Sequence, residues 1–328
     1  MGEQLVSVVT PVYNGADYLR ECLDSVLGQT YTNFEYIIVN NRSTDRTLEI
    51  AQDYAKRDSR VRIHDNEKFV GVIDNHNIAF SLISPKANYC KVVSADDFIF
   101  PDCLRQLVAV GEAHPSAGFI GCYQLSGDRI LWQGFRYPQP LFNGRELCKK
   151  VFLGRDPAFG FGTPTSLLYR ADLVRGSGAF YPNASPHSDT SACFKYLEKA
   201  DFGFAYQVLS YERTHELTQS SKSANLNRYA SAYIDDLRTY GRFYLSEEEW
   251  NRRLREEVNG YYQFLAVSAV RNRDAEFWEY HRGRLKELGY PISTMKLLRG
   301  GVAKLFGALL NPAQAAGKMR RRNAAKAR

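Results

Sequence analysis

No apolar run in this 328-residue chain approaches the ~20 residues that a membrane-spanning helix needs. The first residues lead almost directly into Leu5-Val6-Ser7-Val8-Val9, with neither a basic stretch nor a small-residue cleavage pattern before them, so no secretory signal is expected. The six cysteines (Cys22, Cys90, Cys103, Cys122, Cys148 and Cys193) form no C-x-x-C pair, and several lie in apolar surroundings. Buried, reduced thiols are therefore expected rather than disulfides or zinc. Acidic residues are missing from the last stretch: Met295–Arg328 holds nine Lys or Arg and no Asp or Glu. Taking those nine from the net charge of +7 leaves −2 for Met1–Thr294. The body of the chain thus lacks the basic footprint of a nucleic-acid binder, and no nucleic-acid partner is expected. Together these absences imply a cytoplasmic protein.

The composition, 44% hydrophobic and 24% charged, is that of a globular protein long enough for one large α/β domain and an appendage. Strand-like and helix-like segments alternate. Leu5–Val12, Phe34–Val39, Val61–His64 and Tyr89–Val93 read as strands. Ala16–Leu27, the segment from Ser43-Thr44-Asp45 to about Lys56, and Asn75–Ile83 read as helices. This alternation predicts a doubly wound, mostly parallel sheet flanked by helices. Ligands of such sheets bind beyond the carboxyl ends of the strands. Tyr13, Asn40, Asn41 and Asp96-Asp97 all fall there.

Ser94-Ala95-Asp96-Asp97 closes an apolar-flanked strand with two adjacent carboxylates. Like charges that close repel each other, and burial penalises each ionised form. A divalent cation such as Mn²⁺ or Mg²⁺ would make the arrangement favourable, because such ions are held by few protein carboxylates and completed by substrate phosphates. The alternative is that one of the two acids opens the helix expected near Pro101.

The ordered blocks Val8-Val9-Thr10-Pro11-Val12-Tyr13-Asn14, Ser25-Val26-Leu27-Gly28-Gln29-Thr30-Tyr31 and Ile37-Ile38-Val39-Asn40-Asn41-Arg42-Ser43-Thr44-Asp45 resemble the opening of a family 2 inverting glycosyltransferase. Gly71 with Asn75-His76-Asn77 resembles that family's next block, and Ser94–Asp97 its metal motif. Weaker similarity continues through Thr165–Arg170 and Gly176–Phe180 to Asp189. The resemblance implies a GT-A fold, a nucleotide-sugar donor, a divalent metal and transfer to a saccharide or lipid-linked saccharide in surface-glycan biosynthesis. It places Pro11, Tyr13, Asn40, Asn41, Asp45, His76, Asn77 and Asp96 at the donor, and Asp97, Asp96 and His215 at the metal. The family normally has aspartate where Asn40 or Asn41 stands, and arginine where His76 stands. Asparagine both donates and accepts hydrogen bonds, so donor binding with altered base preference is one reading. A catalytically weak or inactive GT-A protein that binds a nucleotide or a partner is the other. Asp45 is equally explained as a helix-opening carboxylate.

An inverting transfer is a single displacement and needs a carboxylate to take the acceptor proton. Asp189, in Pro186-His187-Ser188-Asp189 before the amphipathic segment Thr190–Lys199, can serve as that base or as the cap of the following helix. Its order in the family favours the base. After about residue 245 the pattern becomes helical, dividing the chain into a catalytic domain, 1–245, and a helical region with a basic tail, 246–328. Ser246-Glu247-Glu248-Glu249 is a capping box, and a second helix is expected over Asp274–Leu288. Thr294–Leu310 places Met295, Leu298, Val302, Leu305, Phe306 and Leu309 on one face, ahead of the terminal Lys and Arg residues. This suits either attachment to an anionic membrane surface, on the inner face of the cell membrane, or a packed helix with a loose tail. The aromatic residues of these helices suit packing on the catalytic domain or a homodimer contact.

Overall fold

Val6–Val12 (β1) is buried along its whole length, its valines interrupted only by Ser7, Thr10 and Pro11, as suits a parallel strand covered on both faces. It pairs in parallel with Phe34–Asn40 (β2) on one side and Tyr89–Val92 (β4) on the other, and β2 pairs with Val61–Asp65 (β3). The structure, a computed structural model, describes residues 3–155, 160–182, 185, 187–214, 226, 228–270 and 274–301. The sheet continues from β4 through an antiparallel strand, Leu167–Arg170 (β9), to Ala117–Ser126 (β6) and then, in parallel, to Asp201–Glu212 (β10). Short antiparallel additions complete it: Phe98–Ile99 (β5) and Leu141–Phe142 (β8) on β10, and Arg129–Leu131 (β7) on β6. The order is β3-β2-β1-β4-β9-β6-β10-β5. The doubly wound, mostly parallel sheet expected from the alternation is therefore what the chain forms.

The helices differ from expectation at their edges for local reasons. Helix Leu19–Leu27 (α1) starts three residues later than Ala16, because Asn14 (φ 50°) and Gly15 turn the chain sharply after β1. A Cβ at Gly15 would stand 2.6 Å from the Val12 side chain, so any larger residue would have to displace Val12 to make that turn. Leu19, Cys22, Leu23 and Val26 then bury one face, at the i, i+3, i+4, i+7 spacing. Helix Thr47–Arg57 (α2) follows β2. Helix Val72–Ser81 (α3) begins three residues before Asn75, because extended Gly71 ends the preceding loop and its carbonyl accepts from the Asn75 N–H. Cys103–Ala113 (α4), Gly144–Phe152 (α5), Ala171–Arg175 (α6) and Ser188–Tyr196 (α7) complete the layers. All six cysteines are buried thiols outside any disulfide, as the sequence suggests. Burial pushes the Cys22 thiol up to about 12, so it acts as a small apolar residue.

The chain divides into two compact units: residues 1–222 with 240–246, and residues 223–239 with 247–328. The second is helical, built from Glu247–Ala269 (α9), Ala275–Glu287 (α10) and the first turns of Arg228–Tyr244 (α8). Its interior is lined by Leu254, Val258, Tyr261, Leu265, Phe277 and Leu285. Burying a side chain of that size stabilises by roughly 1.5–3 kcal/mol. Asp274 caps α10 by accepting from the Phe277 N–H at 2.9 Å. Residues 294–301 are helical, and the remainder of the expected Thr294–Leu310 helix and the basic tail lie outside the described residues.

Candidate functional site

The carboxyl ends of β1, β2 and β4 converge, and their loops are fastened to one another. Ser43, Thr44, Asp45 and Thr47 form a clasp on the turn after β1. The Ser43 hydroxyl accepts from the Asn14 N–H, Asn14 Oδ1 accepts from the Thr44 N–H at 2.8 Å, and Thr47 Oγ1 accepts from the Gly15 N–H at 2.8 Å. Asp45 accepts from the Ala16 and Thr47 N–H groups, both at 3.0 Å. Burial works against its charge, but these bonds outweigh it and hold the carboxyl below its usual range. Asp45 thereby joins the turn after β1 to the start of α2, the arrangement that the helix-opening reading describes.

Asn40 and Asn41 are held just as closely. Both are buried. The Asn40 amide donates to Asp65 Oδ1 at 2.7 Å, and Asp65 also meets Arg42 at 3.2 Å. Asn41 donates to the Val70 carbonyl (2.9 Å) and accepts from the Val70 N–H and from Asn66, each at 3.0 Å. Both asparagine side chains are thus held by neighbouring residues at the carboxyl end of β2. Tyr13 is half exposed and meets Phe69 edge-on, with ring centroids 4.8 Å apart, while Pro11 is buried in β1 beside Val39. The exposed Tyr13–Phe69 pair is an aromatic corner at the mouth of the strands.

His76 is half-buried on α3 with Nδ1 2.8 Å from the Val72 carbonyl, and burial lowers its pKa, so it supplies no standing positive charge near neutrality. Asn77 clamps Tyr181 from both sides, donating to its carbonyl and accepting from its N–H, each at 3.0 Å. It therefore positions the segment ahead of α7. Replacing Asn77 with alanine leaves both backbone groups of Tyr181 without this partner. It is expected to lower the unfolding free energy by ~1–3 kcal/mol in urea titrations with nucleotide affinity unchanged, whereas weakened nucleotide binding would assign Asn77 a part in holding the donor.

Asp97 lies just past β4 and is buried. Thr165 donates its hydroxyl to Oδ2 at 2.6 Å, and the Arg213 N–H donates to Oδ1 at 3.0 Å. Burial and the neighbouring Asp96 charge nevertheless push its carboxyl up to about 8. Asp96 is more open, and its carbonyl accepts from Arg213 Nε at 3.1 Å. The Arg213 guanidinium bonds Glu21 and lies 4.7 Å from the Tyr18 ring centroid. Beneath, buried Lys91 donates to the carbonyls of Thr165 and Leu167, fixing the turn that carries Thr165. Two crowded carboxylates with an unfavourable charge state fit an oxygen-ligand cation. Among the described residues no third acid, histidine or cysteine completes a cage, so diphosphate oxygens and water would have to fill the remaining positions. His215 lies outside the described residues.

Asp189 is in the first turn of α7, where His187 and not Asp189 occupies the cap position. Burial, with help from Glu212, raises its carboxyl to about 6 despite the hydrogen bond from the Thr190 N–H. Glu212, at the end of β10, is itself raised by burial and by Asp96, and it acts on Asp97 as well. Asp96, Asp97, Asp189 and Glu212 therefore share one electrostatic neighbourhood. Glu212 and Arg213 were not singled out from the sequence; the signal available was an acid–base pair at the end of a long strand.

The family model described as glycosyl transferase family 2 matches residues 7–176. An uncharacterized glycosyltransferase, EpsJ, of Bacillus subtilis is 36% identical over 128 residues, 38% of this chain and 36% of that protein. The alignment thus spans little more than a third of that relative's length. An uncharacterized glycosyltransferase of Rickettsia prowazekii, RP339, is 37% identical over 224 residues, 67% of each protein. Among solved structures, S. aureus TarS in complex with UDP-GlcNAc matches with a TM-score of 0.62 at 17% identity, covering 87% of this chain and 80% of that one. The mannosyltransferase PcManGT from Pyrobaculum calidifontis, in complex with GDP-Man and Mn²⁺, matches with a TM-score of 0.56 at 17% identity, covering 96% and 83%. At that identity the structural likeness speaks for the fold.

Proposed function

This chain belongs to glycosyl transferase family 2 and has its GT-A fold, and on that premise we propose that it moves a sugar from a nucleotide-sugar donor to a hydroxyl of a saccharide or lipid-linked saccharide, inverting the anomeric carbon, in surface-glycan assembly. The observation that carries the reading is the crowded Asp96–Asp97 pair just past the carboxyl end of β4, a central strand that pairs with β1. Donors of this class are bound by the TarS and PcManGT neighbours, and the latter holds Mn²⁺. In this chain Asp97 and Asp96 would hold Mn²⁺ or Mg²⁺. Such an ion neutralises charge developing on a leaving diphosphate. Asp97 is aimed by Thr165 and Arg213, and Arg213 is in turn held by Glu21. Asp189 takes the acceptor proton, and its raised pKa suits a base that must hold that proton near neutrality.

The basic tail and the exposed Met295 and Leu298 support peripheral attachment to the inner face of the cell membrane. Among the described residues no helix is long and apolar enough to cross a membrane. A homodimer through the C-terminal helices is part of the same proposal. The competing reading, a nucleotide-binding protein without turnover, draws on Asn40 and Asn41, whose amides are engaged internally. A panel of nucleotide-sugars with Mn²⁺ or Mg²⁺ separates the two. Thermal stabilisation with slow donor hydrolysis is expected, whereas stabilisation without turnover on any acceptor selects the competing reading, and no stabilisation by any donor contradicts both.

A further inference from the structure

Within the C-terminal unit a cleft of about 480 Å³ opens between α9 and helical residues 294–301. Its wall carries three cationic side chains, Arg255, Lys296 and Arg299, and no carboxylate. The contrast along α9 is informative. Arg253 is bonded to Glu256 and Glu257, and Arg252 lies 4.0 Å from Glu256. Neither lines the cleft. Arg255 does, and like Lys296 and Arg299 it meets no acid among the described residues.

The cleft is built rather than incidental. The buried Tyr262 donates its hydroxyl to the carbonyls of Tyr290 (3.0 Å) and Pro291 (2.9 Å), which fixes the turn entering the last helix against α9. A Cβ at Gly300 would stand 3.1 Å from the Tyr262 backbone, so glycine there lets the two helices approach closely. Lys296 Nζ is then set 5.4 Å from the Tyr262 ring centroid and 5.9 Å from that of Tyr290. On the same helix Met295 and Leu298 are 64% and 66% exposed, an apolar pair beside the cations.

We propose that this cleft binds the phosphoryl group of an anionic lipid headgroup, with the phosphate against Arg255, Lys296 and Arg299 and with Met295 and Leu298 entering the apolar edge of the bilayer. Guanidinium and ammonium groups around a cavity without acids suit a phosphate oxyanion, and exposed apolar side chains beside them suit one presented at a lipid surface. The inference deepens the attachment part of the preceding reading and is independent of the donor chemistry, since donor hydrolysis and vesicle binding are read separately.

The test uses the full chain and vesicles of phosphatidylcholine with or without phosphatidylglycerol. Binding to the anionic vesicles alone is expected. The triple variant Arg255→Gln/Lys296→Gln/Arg299→Gln should lose ~10-fold or more of its partition. The charge-matched Arg320→Gln/Arg321→Gln/Arg322→Gln should lose less. All three cleft cations are exposed, so their replacement should leave the melting temperature unchanged. Arg255→Lys/Arg299→Lys, which keeps the charge, should retain most of the binding. Calorimetric titration with inorganic phosphate distinguishes the source of the phosphoryl group. Cleft-dependent phosphate binding together with cleft-dependent vesicle binding supports the lipid headgroup. Cleft-dependent phosphate binding alone overturns the lipid assignment in favour of a free phosphate ester. Equal losses in the two triple variants, with no phosphate binding, overturn the site.

Discussion

Replacing Asp189 with asparagine should lower turnover by ~10²–10⁴ while donor affinity is unchanged. Asparagine keeps the size of the side chain and can still accept from the Thr190 N–H, so the first turn of α7 is preserved. What it cannot do is take a proton. The wild-type pH profile carries the same assignment. A base works in its deprotonated form, and burial has raised this carboxyl to about 6. Activity should therefore be full above pH ~7 and fall about tenfold per unit as pH drops below 6. An unperturbed aspartate would hold activity down to pH ~4. Steady-state rates from pH 5 to 8, with nucleotide affinity measured at each pH, check both points. Wild-type turnover in the variant would move the search to Glu212, the other carboxyl raised by burial in the same neighbourhood.

Replacing Asp97 with alanine should remove the part of donor affinity that depends on the metal. Charge neutralisation by a divalent ion is worth several kcal/mol, so nucleoside diphosphate affinity with Mn²⁺ should fall by ~10²-fold or more. The metal-free affinity should change little. The fold should survive, because two effects oppose each other. Thr165 and the Arg213 N–H lose an acceptor, which is destabilising. A buried carboxyl pushed up to about 8 by burial and by Asp96 is removed, which is stabilising. Isothermal titration of nucleoside diphosphate with and without Mn²⁺, beside a thermal melt, separates these consequences. An unchanged Mn²⁺-dependent gain in the variant would take the metal away from Asp97.

The sheet was legible in the sequence because β1, β2 and β4 are covered on both faces and therefore read as short, mainly apolar runs, with isolated polar residues such as Ser7, Thr10 and Lys91 inside them. The helix starts were less so, because α1 waits on a turn that depends on Gly15 and α3 begins at a glycine that periodicity does not register. Asp96 and Asp97 could be placed because their position at a strand end follows from local pattern. The partners of Asn40 and Asn41 could not be placed, since Asp65, Asn66 and Val70 lie 25–29 residues downstream and meet them only when β3 pairs with β2. The grip of Arg213 on Asp96 and Asp97 spans more than a hundred residues and depends on β10 reaching the same end of the sheet. Ser43-Thr44-Asp45 was visible as a motif, but its contacts show a clasp on Asn14–Ala16 where sequence alone left a donor contact open.

The central claim is a single displacement assisted by Asp189 beside an Asp96–Asp97 metal site. Proton NMR of the sugar first released from an α-linked nucleotide-sugar in the presence of Mn²⁺, recorded before the anomers equilibrate, tests it most directly. Attack by water in place of the acceptor should release the β-anomer first, at a rate that falls with Asp189→Asn. Release of the α-anomer first, or release at an unchanged rate in that variant, would contradict it.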